Sequence, residues 1–192
     1  AMASRAPLDL RVNTLKAKRE KILASLSHLG ATPTPWSPIG LRIELGADAR
    51  NPGVHAEEDF IKGAVEVQDE GSQLAALLSA AKPGEQVIDL CAGAGGKTLA
   101  LAAMMQGKGR LIATDHDKRQ LAPIYERLSR AGVHNADIRA PKGEADPLAD
   151  IRASADLVLI DAPCTGTGTW RRNPDAKWRM RPGALEVRLK DQ

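Results

Sequence analysis

Val87-Ile88-Asp89-Leu90-Cys91-Ala92-Gly93-Ala94-Gly95-Gly96-Lys97-Thr98 carries the reading of the whole fold. Val87–Leu90 is a short apolar run of the kind that fills a buried strand. Glycines at 93, 95 and 96 come at once, and glycine lets backbone turn sharply and pass close to a ligand. Residues 97–106 then read as an alanine- and leucine-rich helix. Strand, turn and helix in that order open a βαβ unit, and similar units come after it. Leu111–Thr114 is the next strand. A helix over 117–131 is opened by Asp117 and closed by Gly132, and Pro123 forces it to bend or to start late. A weak strand lies near 136–139, and Leu157–Ile160 reads as a strong buried strand. Strands alternating with helices imply a parallel sheet with right-handed crossovers and helices on both faces. The expected class is α/β, a doubly wound sheet.

Upstream the pattern changes. Leu8–Val12 alternates apolar and polar residues as a strand does. Asn13 or Thr14 can cap a helix over 15–29, and Gly30 can stop it. The proline-rich stretch 31–40 reads as a turn-rich connection, Leu41–Leu45 as a strand, and 46–60 as irregular. Val65–Val67 is a short strand. Ser72 is then expected to cap a helix burying Leu74, Ala75, Leu77, Leu78 and Ala81, ended by Pro83-Gly84. Residues 1–66 thus form a small α/β module, and residues 67–192 the sheet domain. The module is too small for a large core and is expected to dock on the sheet domain. Ala1-Met2-Ala3 reads as an appended start and is set aside.

The 192 residues are 43% hydrophobic and 27% charged, a globular balance. No apolar run is long enough to cross a membrane, and no charged-then-apolar leader opens the sequence. Two cysteines, Cys91 and Cys164, exclude a disulfide framework and a cysteine-rich zinc site. The four histidines show no ligand spacing, so no metal is expected. A reducing, cytoplasmic setting fits this cysteine usage. A net charge of +3 permits nucleic acid without demanding it. Basic residues gather at Lys16, Lys18, Arg19 and Lys21, and again over 170–181 (WRRNPDAKWRMR). Either run is compatible with a plain solvated face. In the second, arginines interleave with Trp170 and Trp178, whose faces can stack unpaired bases.

Ligands of a doubly wound sheet bind beyond the carboxyl ends of its strands, at the switch in strand order. Three segments are expected there. The first is the glycine-rich loop with the helix start behind it, which offers free N–H groups. It matches neither phosphate motif. The P-loop needs glycine where Cys91 stands, and the dinucleotide pattern needs glycine where Thr98 stands. The second is Thr114-Asp115-His116-Asp117, where Asp115 suits a ribose and Asp117 a helix cap. A ribose contact without a diphosphate loop points to a nucleoside cofactor such as S-adenosylmethionine. The third is Asp161-Ala162-Pro163-Cys164, at the end of the apolar strand. Cys164 is expected on a loop beside the ligand crevice, with Arg171 and Arg172 near enough to lower its pKa. Cys91 ends a buried strand and is expected to be structural, with its backbone near the cofactor.

VQDEGSQ (67–73), DLCAGAGGKT (89–98), DAPCTGTG (161–168) and WRRNPDAKW (170–178) together resemble the RNA cytosine-5 methyltransferases of the Nol/Nop/Sun family, bacterial ribosomal RNA enzymes above all. The resemblance spans about residues 8–192. It implies a Rossmann-like methyltransferase sheet preceded by a small RNA-binding module. It implies S-adenosylmethionine held by Cys91, Ala92, Gly93, Ala94, Gly95, Gly96 and Lys97, with Asp115 at the ribose and Asp161 near cofactor and base. It further implies ribosomal RNA as partner, with Trp170, Arg171 and Arg172 among its contacts. The chemistry suits these residue types. A thiolate must add to carbon 6 of cytosine before carbon 5 can accept a methyl group. A carboxyl group at N3, the role implied for Asp161, eases that addition. In the family a second cysteine, in a Thr-Cys-Ser context, makes the attack, and the cysteine matched by Cys164 serves product release.

No such second cysteine occurs here, and the sequence reads as a fragment that stops inside a helix begun near Pro182. It is expected to bind cofactor without methylating by the two-cysteine route. The strand at 157–160 is expected to be an open, apolar edge, a site for self-association. The acidic residue that the family usually sets on the adenine side is also missing. Asp137 comes too early, and Pro141-Lys142 occupies its place. Two other readings are open. A P-loop-like NTPase would use Gly96-Lys97-Thr98 with Asp161, and a non-catalytic RNA-binding module would use residues 8–66 and 170–181.

Overall fold

A computed structural model describes residues 5–46, 50–141, 143 and 145–192, so Ala1-Met2-Ala3 and Lys142 lie outside the described residues. Its first sheet is built from β1 (Leu8–Val12), α1 (Arg19–Ser25), β2 (Ala31–Pro33), β3 (Gly40–Ile43), α2 (Glu58–Ile61) and β4 (Val65–Val67). The strands are antiparallel in the order β2-β3-β1-β4. Leu10, Val12, Leu41, Ile43 and Val65 pack with Ile22 and Leu26 in a small core.

Three expectations fail in this part, the first being that 46–60 is irregular, since a short turn of helix at Val54–Ala56 leads into α2 at Glu58. The first helix begins at Arg19, not at residue 15. Asn13 Oδ1 accepts from Leu15 N, a local turn that competes with helix, while Asn13 Nδ2 donates to the carbonyls of Gly63 and Ala131. Asn13 is therefore a tie between the two sheets and not a cap. The stretch 31–40 also contains β2. Its Pro33 is tolerated because β2 is an edge strand, where a missing N–H costs little.

The second sheet comes next, with α3 (Glu70–Leu78), β5 (Gln86–Asp89), α4 (Gly96–Met104), β6 (Arg110–Thr114), α5 (Lys118–Leu121), α6 (Ile124–Ala131), β7 (Ala136–Arg139), β8 (Leu157–Leu159), α7 (Ala176–Arg179) and α8 (Ala184–Asp191). All its strands are parallel, in the order β7-β6-β5-β8, and the order reverses between β5 and β8. Val87, Leu111 and Ala113 face a core shared with Leu99, Leu101, Ile124 and Leu128 of α4 and α6. Ile88 and Ile112 point to the other face and meet Ile151 in a thinner layer. Pro123 separates α5 from α6, as its missing N–H requires.

Two further corrections concern this sheet. Asp69, not Ser72, caps α3, its Oδ1 accepting from Gly71 N. The earlier start changes the buried face to Gln73 and Ala76 and leaves Leu78 84% exposed. Leu157–Ile160 is apolar but not deeply buried. Among the described strands β8 pairs with β5 alone, and Val158 and Ile160 are exposed.

The sheets are welded along residues 67–73. Asp9 of β1 accepts from Glu70 N and from the fork of Arg42. Glu70 in turn accepts from the N–H groups of Trp36 and Ser37. Gln68 Oε1 accepts from Arg11 Nε, and Gln68 O from Gln73 Nε2. Buried polar groups need such partners, so VQDEGSQ is a polar seam between the modules.

Candidate cofactor and catalytic site

The glycine-rich loop leaves β5 and crosses in front of β6. Leu90 N donates to Leu159 O and Ala92 N to Thr114 O, so three strand ends hold its start. Gly93 and Gly95 then take the left-handed conformation, with φ of +51° and +83°. At Gly95 the space is also closed, since a Cβ there would lie 2.4 Å from Cγ1 of buried Ile124. The loop opens into α4 at Gly96.

Asp115, at the end of β6, is only 6% exposed. Its Oδ2 accepts from Gly93 N and its Oδ1 from Asp117 N, both at 3.0 Å. Asp117 is the cap of α5 and accepts from Arg119 N at 2.9 Å. Hydrogen bonds from the Arg119 side chain and backbone draw the Asp117 carboxyl down to about 2. Asp115 thus lines the crevice, and Asp117 caps the helix as expected.

A cavity of about 500 Å³ opens at these strand ends. Cys91, Asp115 and Pro163 line it, with apolar walls from Leu90, Pro141 and Leu148. Burial, and then the charges of Asp115, Asp89 and Asp161, push the Cys91 thiol up. Asp89 below it is fully buried. Its Oδ2 accepts from Thr98 Oγ1 at 2.7 Å, and its Oδ1 has no hydrogen-bond partner among the described residues. Burial pushes this carboxyl up to about 6, with the Thr98 bond and Lys97 pulling the other way.

Lys97 on α4 reaches across to Asp161, with Nζ 2.5 Å from Oδ2. Three residues on, Cys164 is exposed, and its Sγ accepts from Gly166 N at 3.4 Å. It lines a second cavity of about 540 Å³, whose wall includes Arg179, Arg181 and Arg188. Arg171 and Arg172 are engaged elsewhere than expected. Arg172 Nη1 pairs with Asp69 Oδ2 at 2.7 Å, and Arg171 Nη2 donates to Arg5 O at 3.2 Å. Arg171 thus ties the segment around half-buried Trp170 to the first module, and Arg172 ties it to the cap of α3.

Asp137 pairs with Arg110 and Arg139 opposite Ile112, well short of the strand ends. Pro141 stands in the cavity wall instead, joined by Asp146, whose carboxylate accepts from Leu148 N and pairs with Arg152. Asp146 escaped the sequence reading because nothing in its spacing shows that residues 146–148 reach the crevice. Glu66 and Arg127 escaped it as well. Arg127 bridges Glu66 to the carbonyl of Ala94, a contact between residues far apart in the chain. Thr98 argues against the NTPase reading. In a P-loop its hydroxyl faces a magnesium ion, but here it is buried and committed to Asp89.

Comparison with known proteins agrees with this geometry. Residues 76–192 match the model of the 16S rRNA methyltransferase RsmB/F family, and residues 1–50 that of the ferredoxin-like domain of RsmF/B-like methyltransferases. The chain is 36% identical over 191 residues to the probable ribosomal RNA small subunit methyltransferase B of a Synechocystis strain, covering 95% of the chain and 40% of that relative. The chain thus spans under half the length of this curated relative. The crystal structure of PH0851 superposes with a TM-score of 0.89 at 32% identity, over 98% of this chain and 42% of that one. The structure of NSun6 from Pyrococcus horikoshii with SFG shares the fold, with a TM-score of 0.81 at 21% identity, over 98% of this chain and 71% of that one. Among the described residues no helix is long and apolar enough to cross a membrane. With its glycine loop, its Asp-Ala-Pro-Cys strand end and its two matched segments, the chain belongs to the S-adenosylmethionine-dependent RsmB/F family of 16S ribosomal RNA methyltransferases.

Proposed function

We propose that this chain binds S-adenosylmethionine in the cavity at the ends of β5 and β6 and takes part in methylating carbon 5 of a cytosine in ribosomal RNA. The observation that carries the reading is convergence: the glycine loop, Asp115, the Lys97–Asp161 pair and Pro163-Cys164 all lie at that one edge. The residues suit the cofactor. Leu90, Pro141 and Leu148 offer apolar wall for a purine. A carboxylate has about four lone-pair sites, so Asp115 keeps capacity for ribose hydroxyls beside its two backbone donors. When bound, S-adenosylmethionine supplies the methyl group.

The remaining roles belong to side chains. Asp161, steadied by Lys97, is assigned to N3 of the target base, where a proton or hydrogen bond lowers the cost of thiolate addition at carbon 6. Cys164 is assigned to product release. Arg179 and Arg181 around its cavity are suited to RNA phosphates, with Trp170, Arg171 and Arg172 extending that surface toward the first module. Neither Cys91 nor Cys164 stands in a Thr-Cys-Ser context, so neither is assigned the attack on carbon 6.

Calorimetric titration with S-adenosylhomocysteine, alongside magnesium-ATP, tests the reading. The nucleoside should bind saturably and ATP should not. Asp115→Ala should weaken nucleoside binding about tenfold or more, the scale of a lost charge-assisted hydrogen bond. A folded chain that ignores the nucleoside overturns the cofactor site. Methyl transfer to ribosomal RNA by the chain alone overturns the assignment of the cysteines.

A further inference from the structure

Glu66 lies on β4, in the first sheet, yet its buried carboxylate faces the second. Its Oε2 accepts from Arg127 Nη2 at 3.1 Å, and its Oε1 from Arg130 Nη2 at 2.5 Å. These arginines stand three apart on α6, where residues share a face. Arg127 makes a second bond, Nη1 to Ala94 O at 2.8 Å. Ala94 sits between the two left-handed glycines of the cofactor loop. A guanidinium is planar and rigid, so a fork with one tine on Glu66 and the other on Ala94 fixes the loop relative to β4. The anchor is itself immobilised. Arg130 lies over the Phe60 ring at 3.9 Å, and buried Arg11, the cross-strand neighbour of Glu66 and held by Gln68, adds its charge. Gln68 also abuts the start of α4, since a Cβ on Gly96 would lie 3.7 Å from its Nε2.

We infer that the first module sets the conformation of the cofactor loop, with Glu66 and Arg127 as positioning residues. The inference rests on reading that loop as the S-adenosylmethionine site. It gives the module a task beyond holding RNA. Fixing Ala94 O orients the peptide units on either side, including Gly93 N–H, which meets Asp115. Cofactor affinity is then partly decided in a sheet that does not line the cavity.

Arg127→Lys in the full chain is the test. Lysine keeps a positive charge against Glu66 but lacks the planar fork. The melting temperature reports the clamp between modules. S-adenosylhomocysteine affinity and the amide NMR signals of Gly93, Gly95 and Gly96 report the loop. The expected result is a folded variant with shifted glycine signals and binding weakened about tenfold. Unshifted signals with unchanged affinity would overturn the inference and leave a simple clamp. Should Arg127→Lys fail to fold, Glu66→Gln keeps an acceptor for the guanidinium and is read in the same way. If the wild-type chain does not bind the nucleoside, the cofactor reading fails, while the glycine signals still decide whether the module sets the loop.

Discussion

Asp89 shows how far a single residue can sit from its ordinary behaviour. Its side chain could be located from sequence, at the end of the strand that precedes the glycine loop, but its burial could not. In the fold its carboxyl is pushed up from 3.8 to about 6. The folded chain therefore holds that proton more tightly than the unfolded chain does. The stabilising contribution is fully present below about pH 4, falls as pH rises toward 6, and stays lost above it. The shift corresponds to about 3 kcal/mol between those limits. Asp89→Asn removes the titration and retains an oxygen for the Thr98 hydroxyl. Whatever constant offset the amide brings, the stability of the variant relative to wild type should rise by about 2–3 kcal/mol from pH 4 to pH 7. Urea unfolding at a series of pH values measures this, and parallel curves for the two proteins would refute it. Asp115 and Asp117 present the opposite case. Their positions were legible because the end of a strand and the start of a helix are both visible in the pattern around them.

At the scale of elements, the apolar strands were readable because burial on both faces leaves continuous hydrophobic runs. Helix onsets were less so. Asn13 and Ser72 have the chemistry of caps, but a cap is chosen by where tertiary partners pull the chain. Asn13 is drawn to Gly63 and Ala131, and Asp69 reaches Gly71 N first. The short β2 was hidden by Pro33, which is acceptable only on an edge. The glycine loop is where local rule and tertiary demand coincide. Gly95 needs a positive φ, and its missing Cβ leaves room for Ile124. Gly95→Ala should thus cost about 1–3 kcal/mol, combining left-handed strain with overpacking against a buried side chain. Because the strain falls on the loop, S-adenosylhomocysteine affinity should fall with it. Thermal denaturation and calorimetry of the variant give both values, and a wild-type melting temperature would show that the loop yields freely.

For the whole molecule, the two sheets are joined by a seam that is polar, buried and hydrogen-bonded at many points. Asp9, Arg42, Glu70, Gln68 and Arg11 join residues distant in sequence. Such networks cost several kcal/mol to break from one side, so the first module is integral to the fold. None of these pairings was readable in advance, since charges on short strands look like solvated faces until the strands are paired. The same view shows an apolar sheet edge at β8. β8 pairs with β5 alone among the described strands, and its Val158 and Ile160 are 47% and 60% exposed. Leu185, Val187 and Leu189 of α8 are exposed as well. An apolar strand with an open row of backbone N–H and C=O groups is a template for pairing with another chain. Light scattering over a concentration series should therefore show this chain above its monomer mass. Val158→Lys places a charge on the edge, where lysine opposes strand addition. It should return the chain to a monomer without lowering its melting temperature, because the side chain it replaces is half in solvent. A wild-type monomer at every concentration would mean that this edge does not recruit a second copy.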